Sequence, residues 1–403
     1  MTAEPVEPGE SARPAEPAQP APARTAAERH ASWLELFFDL VVVVAVAQLA
    51  HQLGGEPTLR DAGLFVVLFY AVWSVWTSFM LYANVAATRT RTRAMLVAMF
   101  GIAVMAAAIP EAAGERGEAF AIAYVCCRFL GIVSWRRTGQ MLFTWPAAQA
   151  GAGFAPWVVS IWVGPPARYW LWTAGVVLDI GISALQGSQA QRMLARMRQS
   201  TSRRARSVDV RPAQLDVAHF GERLGLFVII VLGEAVAQVV LAASEVTWTR
   251  PLLVAALAGF GLLVCLWWLT LEYGALAVPR FGEHRIEAWL ALPAHFAMTL
   301  GITSVAAGLG MLAEHPDEPL GLAARWALCG GLALYFLTTT VVGLVTRAPR
   351  AWLYGRALPA TVAPVLLGVF GSSLQARWLA LILVAVALVQ VRYARRHNAA
   401  PTS

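Results

Sequence analysis

The chain has 403 residues, of which 58% are hydrophobic and only 14% are charged, with a formal net charge of +7 and a mean hydropathy of +0.59. Soluble domains typically carry about 25% charged residues. This composition therefore excludes an ordinary soluble domain and indicates a membrane protein. All of the positive side chains are arginines, because the sequence contains no lysine.

Long apolar runs, separated by charged residues, Pro and Gly, occur along most of the sequence. About twenty helical residues, at a rise of about 1.5 Å each, cross a hydrocarbon core of about 30 Å. On this criterion the sequence predicts an all-α, polytopic membrane helix bundle of about twelve transmembrane helices. The predicted helices are 34–53, 61–83, 94–112, 118–134, 141–163, 168–187, 219–243, 251–278, 285–312, 321–345, 351–371 and 376–394.

Proline residues mark three of these helices, the fifth, ninth and eleventh, as candidates for a break. Proline removes a backbone donor and disrupts the preceding helical turn, and interrupted helices are common in transporters. The residues concerned are Pro146, Pro156, Pro293, Pro359 and Pro364.

The ends of the chain and its middle differ from the apolar runs. Residues 1–28 are rich in Pro, Ala and Glu, which predicts a disordered tail, and they lack the apolar core of a signal peptide. The segment 188–217 is a basic linker, and 396–403 is a short polar tail. The remaining segments, 29–187 and 218–395, each contain six predicted helices.

The distribution of arginine predicts the orientation of the bundle. Positive residues concentrate in the segments 89–93, 136–137, 192–211, 347–350 and 392–396, whereas the alternate connections carry few. Since basic loops stay on the cytoplasmic side, we expect both termini to lie in the cytoplasm of a bacterium, with the bundle in its inner membrane. The basic linker has no aromatic residue and no zinc pattern, so lipid headgroups rather than nucleic acid are its expected partners.

An internal repeat links the two six-helix segments. Residues 33–49 align with 219–238 at a shift of about 190, and the next helices align at about 191. The paired positions include Phe37 with Phe227, Gln48 with Gln238, Trp76 with Trp267 and Tyr82 with Tyr273. Because six is even, both copies start on the same side, which predicts parallel repeats related about the membrane normal.

Two motifs also carry a family resemblance. Residues 30–41 (HASWLELFFDLV) and 218–234 (AHFGERLGLFVIIVLGE) resemble the bacterial low-temperature-requirement A family, and the likeness extends over about residues 29–395. The resemblance implies an integral membrane protein and specifies no reaction.

Ionisable and amide side chains inside the predicted helices are the candidate site. A charge at the centre of a bilayer costs at least about 2.5–3.5 kcal/mol, so each such group needs a partner, a watery cavity or a neutralising proton. The candidate substrate- or ion-binding residues are Glu35, Asp39, Arg128, Asp179, Arg223, Glu234, Gln238, Glu272 and His295.

Helical spacing groups these candidates. Glu35 and Asp39 share one face of the first helix, where they either accept a proton or cation or pair with Arg128 or the basic loops. Arg223, Glu234 and Gln238 form a polar stripe on the seventh helix, with Glu234 as the strongest single candidate.

Two further interpretations concern the remaining candidates. Asp39, Arg128, Asp179 and Glu272 form a negatively charged vestibule if their helices face one cavity. His295 is either a proton relay or a satisfied core residue.

The leading hypothesis is a secondary transporter or channel-like permease for a small solute or cation. In it, Asp39 and Glu234 bind the coupling proton or cation, and Arg223 and Arg128 tune their charge. The alternatives are a membrane scaffold or stress sensor and, less favoured, an intramembrane enzyme using Glu234 and His295. The sequence has no soluble-enzyme motif, and no cofactor, metal site or enzymatic activity is predicted.

Overall fold

The structure, a computed structural model, describes residues 30–54, 57–142, 145–151, 153–199, 211–275, 278–279 and 288–398. The predicted tail 1–28, and parts of the basic linker and of the tail 396–403, lie outside these residues. Fourteen α-helices occur in the described residues: α1 (Trp33–Gln52), α2 (Leu59–Ala86), α3 (Thr92–Ala108), α4 (Gly117–Arg136), α5 (Ala147–Ala150), α6 (Phe154–Ser160), α7 (Ala167–Gln199), α8 (Val217–Glu245), α9 (Arg250–Trp267), α10 (Ala288–Glu314), α11 (Leu322–Val345), α12 (Arg350–Trp352), α13 (Leu358–Phe370) and α14 (Ala376–Asn398).

The remaining regular elements are short. Strand β1 (Gln140–Met141) pairs in parallel with β2 (Arg211–Pro212), and β3 (Gly274–Ala275) pairs antiparallel with β4 (Val278–Pro279). A π-helical turn follows α9 at Trp268–Glu272, and another joins α12 to α13 at Leu353–Ala357. The fold is therefore helical, as the sequence predicts.

Local sequence determines where the first two helices begin. Ser32 and Glu35 form a capping box at the start of α1, and Thr58 and Asp61 form the same motif at the start of α2. In this motif each side chain accepts a hydrogen bond from a free backbone amide of the first helical turn. The capping box at α1 also fixes Glu35 beside the end of the helix.

Ten of the described helices are long and apolar enough to cross a membrane. Helix α7 and the interrupted segment α5–α6 correspond to the other two predicted helices. Helix α7 continues to Gln199 rather than ending near 187, so part of the predicted linker is helical.

The three expected proline breaks have different outcomes. The predicted fifth helix is interrupted between α5 and α6, as expected. The expected break at Pro293 is wrong, because this residue lies inside the uninterrupted helix α10. The region of Pro359 and Pro364 contains a π-helical turn before α13 rather than a gap.

Helix α2 lies at the centre of the bundle, since 94% of the residues in its most apolar stretch are buried. Helix α1 packs against α3 and α8, and α8 packs against α10. Glu35 of α1 contacts His219 of α8, and Asp39 contacts Arg223 one turn further along both helices, so α1 and α8 start at the same end of the bundle. We call this the Trp33 end, and the opposite end, where α1 finishes, the Gln52 end.

Candidate functional site

Four ionisable side chains connect α1 and α8 near the Trp33 end. His219 Nε2 lies 3.1 Å from Glu35 Oε1, and Arg223 Nη2 donates to Asp39 Oδ1 at 2.6 Å. Both the acidic and the basic pair have a spacing of four residues, which places each pair on one face of its helix. We call Glu35, Asp39, His219 and Arg223 the α1–α8 ladder.

The ladder is buried, with none of its four residues more than 3% exposed. Removing charges from water is costly, and the ion pair offsets that cost only when further hydrogen bonds satisfy both partners. Trp76 Nε1 on α2 donates to Asp39 Oδ1 at 2.7 Å, which supplies one such bond. Asp39 Oδ2 and Arg223 Nη1 are buried and have no hydrogen-bond partner among the described residues.

A second set of acid–base contacts runs outward from the ladder. His219 Nδ1 lies 3.6 Å from Glu222 Oε2, and Glu222 Oε1 lies 3.7 Å from His30 Nδ1. Side-chain exposure rises along this path from 0% at His219 to 34% at Glu222 and 80% at His30. Titratable groups therefore extend from the surface of the Trp33 end to the buried Glu35.

His295 lies beside the ladder but is a satisfied core residue. Its Nδ1 accepts a hydrogen bond from Trp73 Nε1 at 3.2 Å, so its Nε2 carries the proton and donates to Leu224 O at 3.1 Å. The ring also stacks on Trp76 at 5.7 Å. Both nitrogens are occupied, which favours the core interpretation over a proton relay.

Arg128 and Asp179 form a separate pair at the break between α5 and α6. Their side chains lie 3.5 Å apart, with Arg128 Nη2 donating to Ala147 O at 2.5 Å and Asp179 Oδ1 accepting from Gly153 N at 2.8 Å. A broken helix leaves backbone groups without helical partners, which cannot remain unsatisfied inside a membrane. The pair therefore holds an interrupted helix in place.

The predicted vestibule of four charges does not form in the described structure. Asp39 pairs with Arg223, and Asp179 pairs with Arg128. Glu272 is exposed at the end of the π-helical turn and has no ion pair within the described ranges. The two ion pairs have separate structural surroundings, so the sequence-based vestibule is wrong as one cluster.

Glu234 lies further along α8 than the ladder. It is partly buried, and its carboxylate accepts a hydrogen bond from Gln238 Nε2 at 2.7 Å. Eleven residues separate it from Arg223, which is about 16 Å along a helix. The two residues are on nearly the same helical face, but they cannot form one site.

Two important contacts were missed at the level of sequence. His219 is not among the candidates from the sequence, and Arg128 or the basic loops are the partners expected there for Glu35, but His219 and Glu35 pair with each other while buried. Trp76, which the sequence only pairs with Trp267, donates to Asp39. The signal available was the spacing, because His219 and Arg223 repeat the four-residue spacing of Glu35 and Asp39.

These features define a multi-pass α-helical membrane protein with buried ion pairs between its helices. The sequence model of the family described as bacterial low temperature requirement A protein matches residues 30–390, which is most of the chain. The chain belongs to this family.

A relative in Rhizobium meliloti (strain 1021) is described as an uncharacterized protein. It is 27% identical to this chain over 251 residues, which cover 52% of this chain and 54% of the relative. The match therefore spans about half the length of that relative, and its description indicates no activity.

Proposed function

We propose that this protein is a secondary transporter or channel-like permease that moves a small solute or cation in a proton- or cation-dependent manner. The observation that carries the proposal is the α1–α8 ladder, in which two acidic residues of one helix face two basic residues of another. A buried ion pair is weak evidence for stability, since an apolar pair of similar volume often stabilises as well or better. Its retention at this depth favours a functional role.

The unsatisfied atoms of the ladder support the same proposal. Asp39 Oδ2 and Arg223 Nη1 are buried without a hydrogen-bond partner in the described part of the chain. Such atoms cost free energy, and they are expected where a proton, an ion or a polar solute completes the arrangement. The ladder then has two states, one with the Asp39–Arg223 pair closed and one with it open to that ligand.

The proposed architecture is two parallel six-helix halves, 29–187 and 218–395. Contacts of α1 with α3 resemble those of α8 with α10, and contacts of α4 with α6 resemble those of α11 with α13. Helices α1 and α8 also run in the same direction, since the two rungs of the ladder advance together along both. The ladder in this arrangement lies between the halves, where movement of one half against the other would open it.

The contacts from His30 through Glu222 to His219 support a proton as the coupling ion. Acids and bases alternate along this path, and a small side-chain rotation or one water molecule brings each neighbouring pair within hydrogen-bond distance. A proton entering at the Trp33 end would reach Glu35 by this route. With both termini in the cytoplasm of a bacterium, the route starts on the cytoplasmic side of the inner membrane.

Glu234 is the proposed second ion-binding carboxylate. Its hydrogen bond to Gln238 leaves its charge unopposed by any basic side chain within the described ranges. A carboxylate in this position must bind a proton or a cation to be neutral inside a membrane. This is why Glu234 remains a site candidate although it lies far from the ladder.

Reconstitution into liposomes tests the proposal. Purified protein is exposed to imposed proton and cation gradients with a panel of cations and small solutes, and uptake is compared with that of Glu234→Gln. We expect solute movement by the wild type and its loss in the variant, with both proteins equally folded. Glu245→Gln, an exposed carboxylate further along the same helix, is the matched control and should behave as the wild type.

Two results separate the alternatives. Uptake that is unchanged by Glu234→Gln removes Glu234 from the mechanism. Absence of movement of every solute under every gradient, with folded protein, contradicts the permease and favours the scaffold or sensor hypothesis.

A further inference from the structure

A large cavity lies at the Gln52 end, away from the ladder. Its volume is about 1040 Å³, and it lies between the start of α2, the end of α10 and the start of α11. Its walls are mostly apolar, and they include Phe65, Met311 and Trp326. None of the candidate residues from the sequence lines it.

The cavity is deep in the direction of the helix axes. One face of α11 lines it from Ala323 through Ala327 and Gly330 to Leu334. From Gly321 at the mouth to Leu334 at the base, the helix rises about 20 Å. One leaflet of the hydrocarbon core is about 15 Å deep, so the cavity is long enough for an extended alkyl chain that crosses one leaflet.

The mouth of the cavity is acidic. Glu314 and Glu318 line it together with His315, and all three are exposed. Asp317 in the same loop is neutralised by Arg377 at 2.5 Å, whereas Glu314 and Glu318 form no ion pair within the described residues. Two unpaired carboxylates therefore lie above an apolar wall.

We propose that this cavity binds an amphiphile with one alkyl chain and a cationic ammonium head. The chain occupies the apolar face of α11, and the head lies between Glu314 and Glu318. The carboxylates would repel an anionic amphiphile or the phosphate of a phospholipid. This site is independent of the proposed permease activity, because it is defined by binding alone.

Direct binding to the full-length protein in nanodiscs of zwitterionic lipid tests the proposal. The probe is radiolabelled dodecyltrimethylammonium, compared with dodecanol and with dodecyl sulfate, and empty nanodiscs give the background. We expect saturable binding of the ammonium compound, weaker binding of the alcohol and no saturable binding of the sulfate.

Two pairs of variants assign the binding to this cavity. A side chain at Gly330 would approach only Trp326, at 3.4 Å, so Gly330→Leu fills the cavity without displacing backbone. We expect it to weaken binding of the ammonium compound and the alcohol alike, by at least about tenfold. Gly63→Leu, at an open position outside the cavity, is the control and should bind as the wild type.

The second pair of variants tests the binding of the cationic ammonium head. Glu314→Gln combined with Glu318→Gln should weaken binding of the ammonium compound about three- to tenfold and leave the alcohol unchanged, since exposed ion pairs are individually weak. Glu245→Gln should change neither. The proposal is overturned if Gly330→Leu binds the ammonium compound as the wild type does, or if dodecyl sulfate binds as tightly. It is also overturned if a diacyl phospholipid co-purifies at this site and the ammonium compound does not displace it.

Discussion

Arg223 of α8 donates to Asp39 of α1 at 2.6 Å, one helical turn beyond the contact between His219 and Glu35. In both contacts the two residues are 184 positions apart in the sequence. Because the contacts advance together along the two helices, α1 and α8 run parallel. A pairing of charges thus connects the beginnings of the two predicted six-helix segments.

Removing the charge of either Asp39 or Arg223 alone should destabilise the fold much more than removing both charges. Arg223→Gln leaves the buried carboxylate of Asp39 without its counter-charge, for which we expect a loss of about 3–5 kcal/mol in the free energy of unfolding. The double variant Arg223→Gln/Asp39→Asn should recover most of that loss. Equilibrium unfolding in detergent measures both, with the exposed Arg250→Gln as the control. Equal losses in the single and double variants would show that the pair has no electrostatic role.

The break between α5 and α6 should be intolerant of a side chain at Gly151. A Cβ atom there would lie against Asp179 Oδ1 and within 2.6 Å of Arg128 Nη2, so the pair that satisfies the broken helix has to move. We expect Gly151→Ala to destabilise the fold by about 1–3 kcal/mol, as overpacking typically does. Thermal unfolding compares it with Gly164→Ala, where a Cβ atom meets nothing within 4 Å. A Gly151→Ala protein as stable as Gly164→Ala would contradict the assigned role of the pair.

His295→Leu should destabilise the bundle through lost hydrogen bonds. The change leaves Trp73 Nε1 without its acceptor and Leu224 O without its donor, both in a buried region. The unsatisfied donor of Trp73 costs about 1–3 kcal/mol and the lost hydrogen bond to Leu224 O costs about 0.5–1.5 kcal/mol, so we expect the free energy of unfolding to fall by about 2–4 kcal/mol. Equilibrium unfolding measures His295→Leu beside the control His51→Leu, whose position is exposed. If the two variants are equally stable, the hydrogen bonds of His295 are not structural.

The predicted orientation is tested with single cysteines in a background from which Cys126, Cys127, Cys265 and Cys329 have been removed. Arg89→Cys should react with a membrane-impermeant maleimide only from the cytoplasmic side, because basic connections stay inside. Thr247→Cys and His315→Cys should react only from outside. All three positions are exposed, so each is accessible to the reagent. Labelling of Thr247→Cys from the cytoplasm would reverse the assignment.

Sequence patterns predicted the helices, but they did not predict which helices pack against one another. Apolar runs and prolines predicted the spans and the interrupted fifth helix, because these depend on local composition. The pairing of His219 with Glu35 depends on which helices pack together, and no local pattern specifies that. Pro293 was also misjudged, because α10 runs from Ala288 to Glu314 with this residue inside it.

Burial also refines the register of the predicted repeat. A shift of 190 pairs Phe37, which is 51% exposed, with Phe227, which is 1% exposed. A shift of 189 instead pairs Phe38 with Phe227, and both are buried. The repeat stays a prediction, and at this position a shift of 189 rather than 190 pairs a buried residue with a buried residue.

Proton flux into liposomes tests the central claim, that the α1–α8 ladder is part of a permease. Liposomes loaded with a pH-sensitive dye and containing wild-type protein should collapse an imposed pH gradient faster than protein-free liposomes. The double variant Arg223→Gln/Asp39→Asn, which removes both charges of the Asp39–Arg223 pair and is expected to retain the fold, should collapse it no faster than the protein-free liposomes. A double variant with the wild-type rate, or a wild type no faster than protein-free liposomes, would contradict the account.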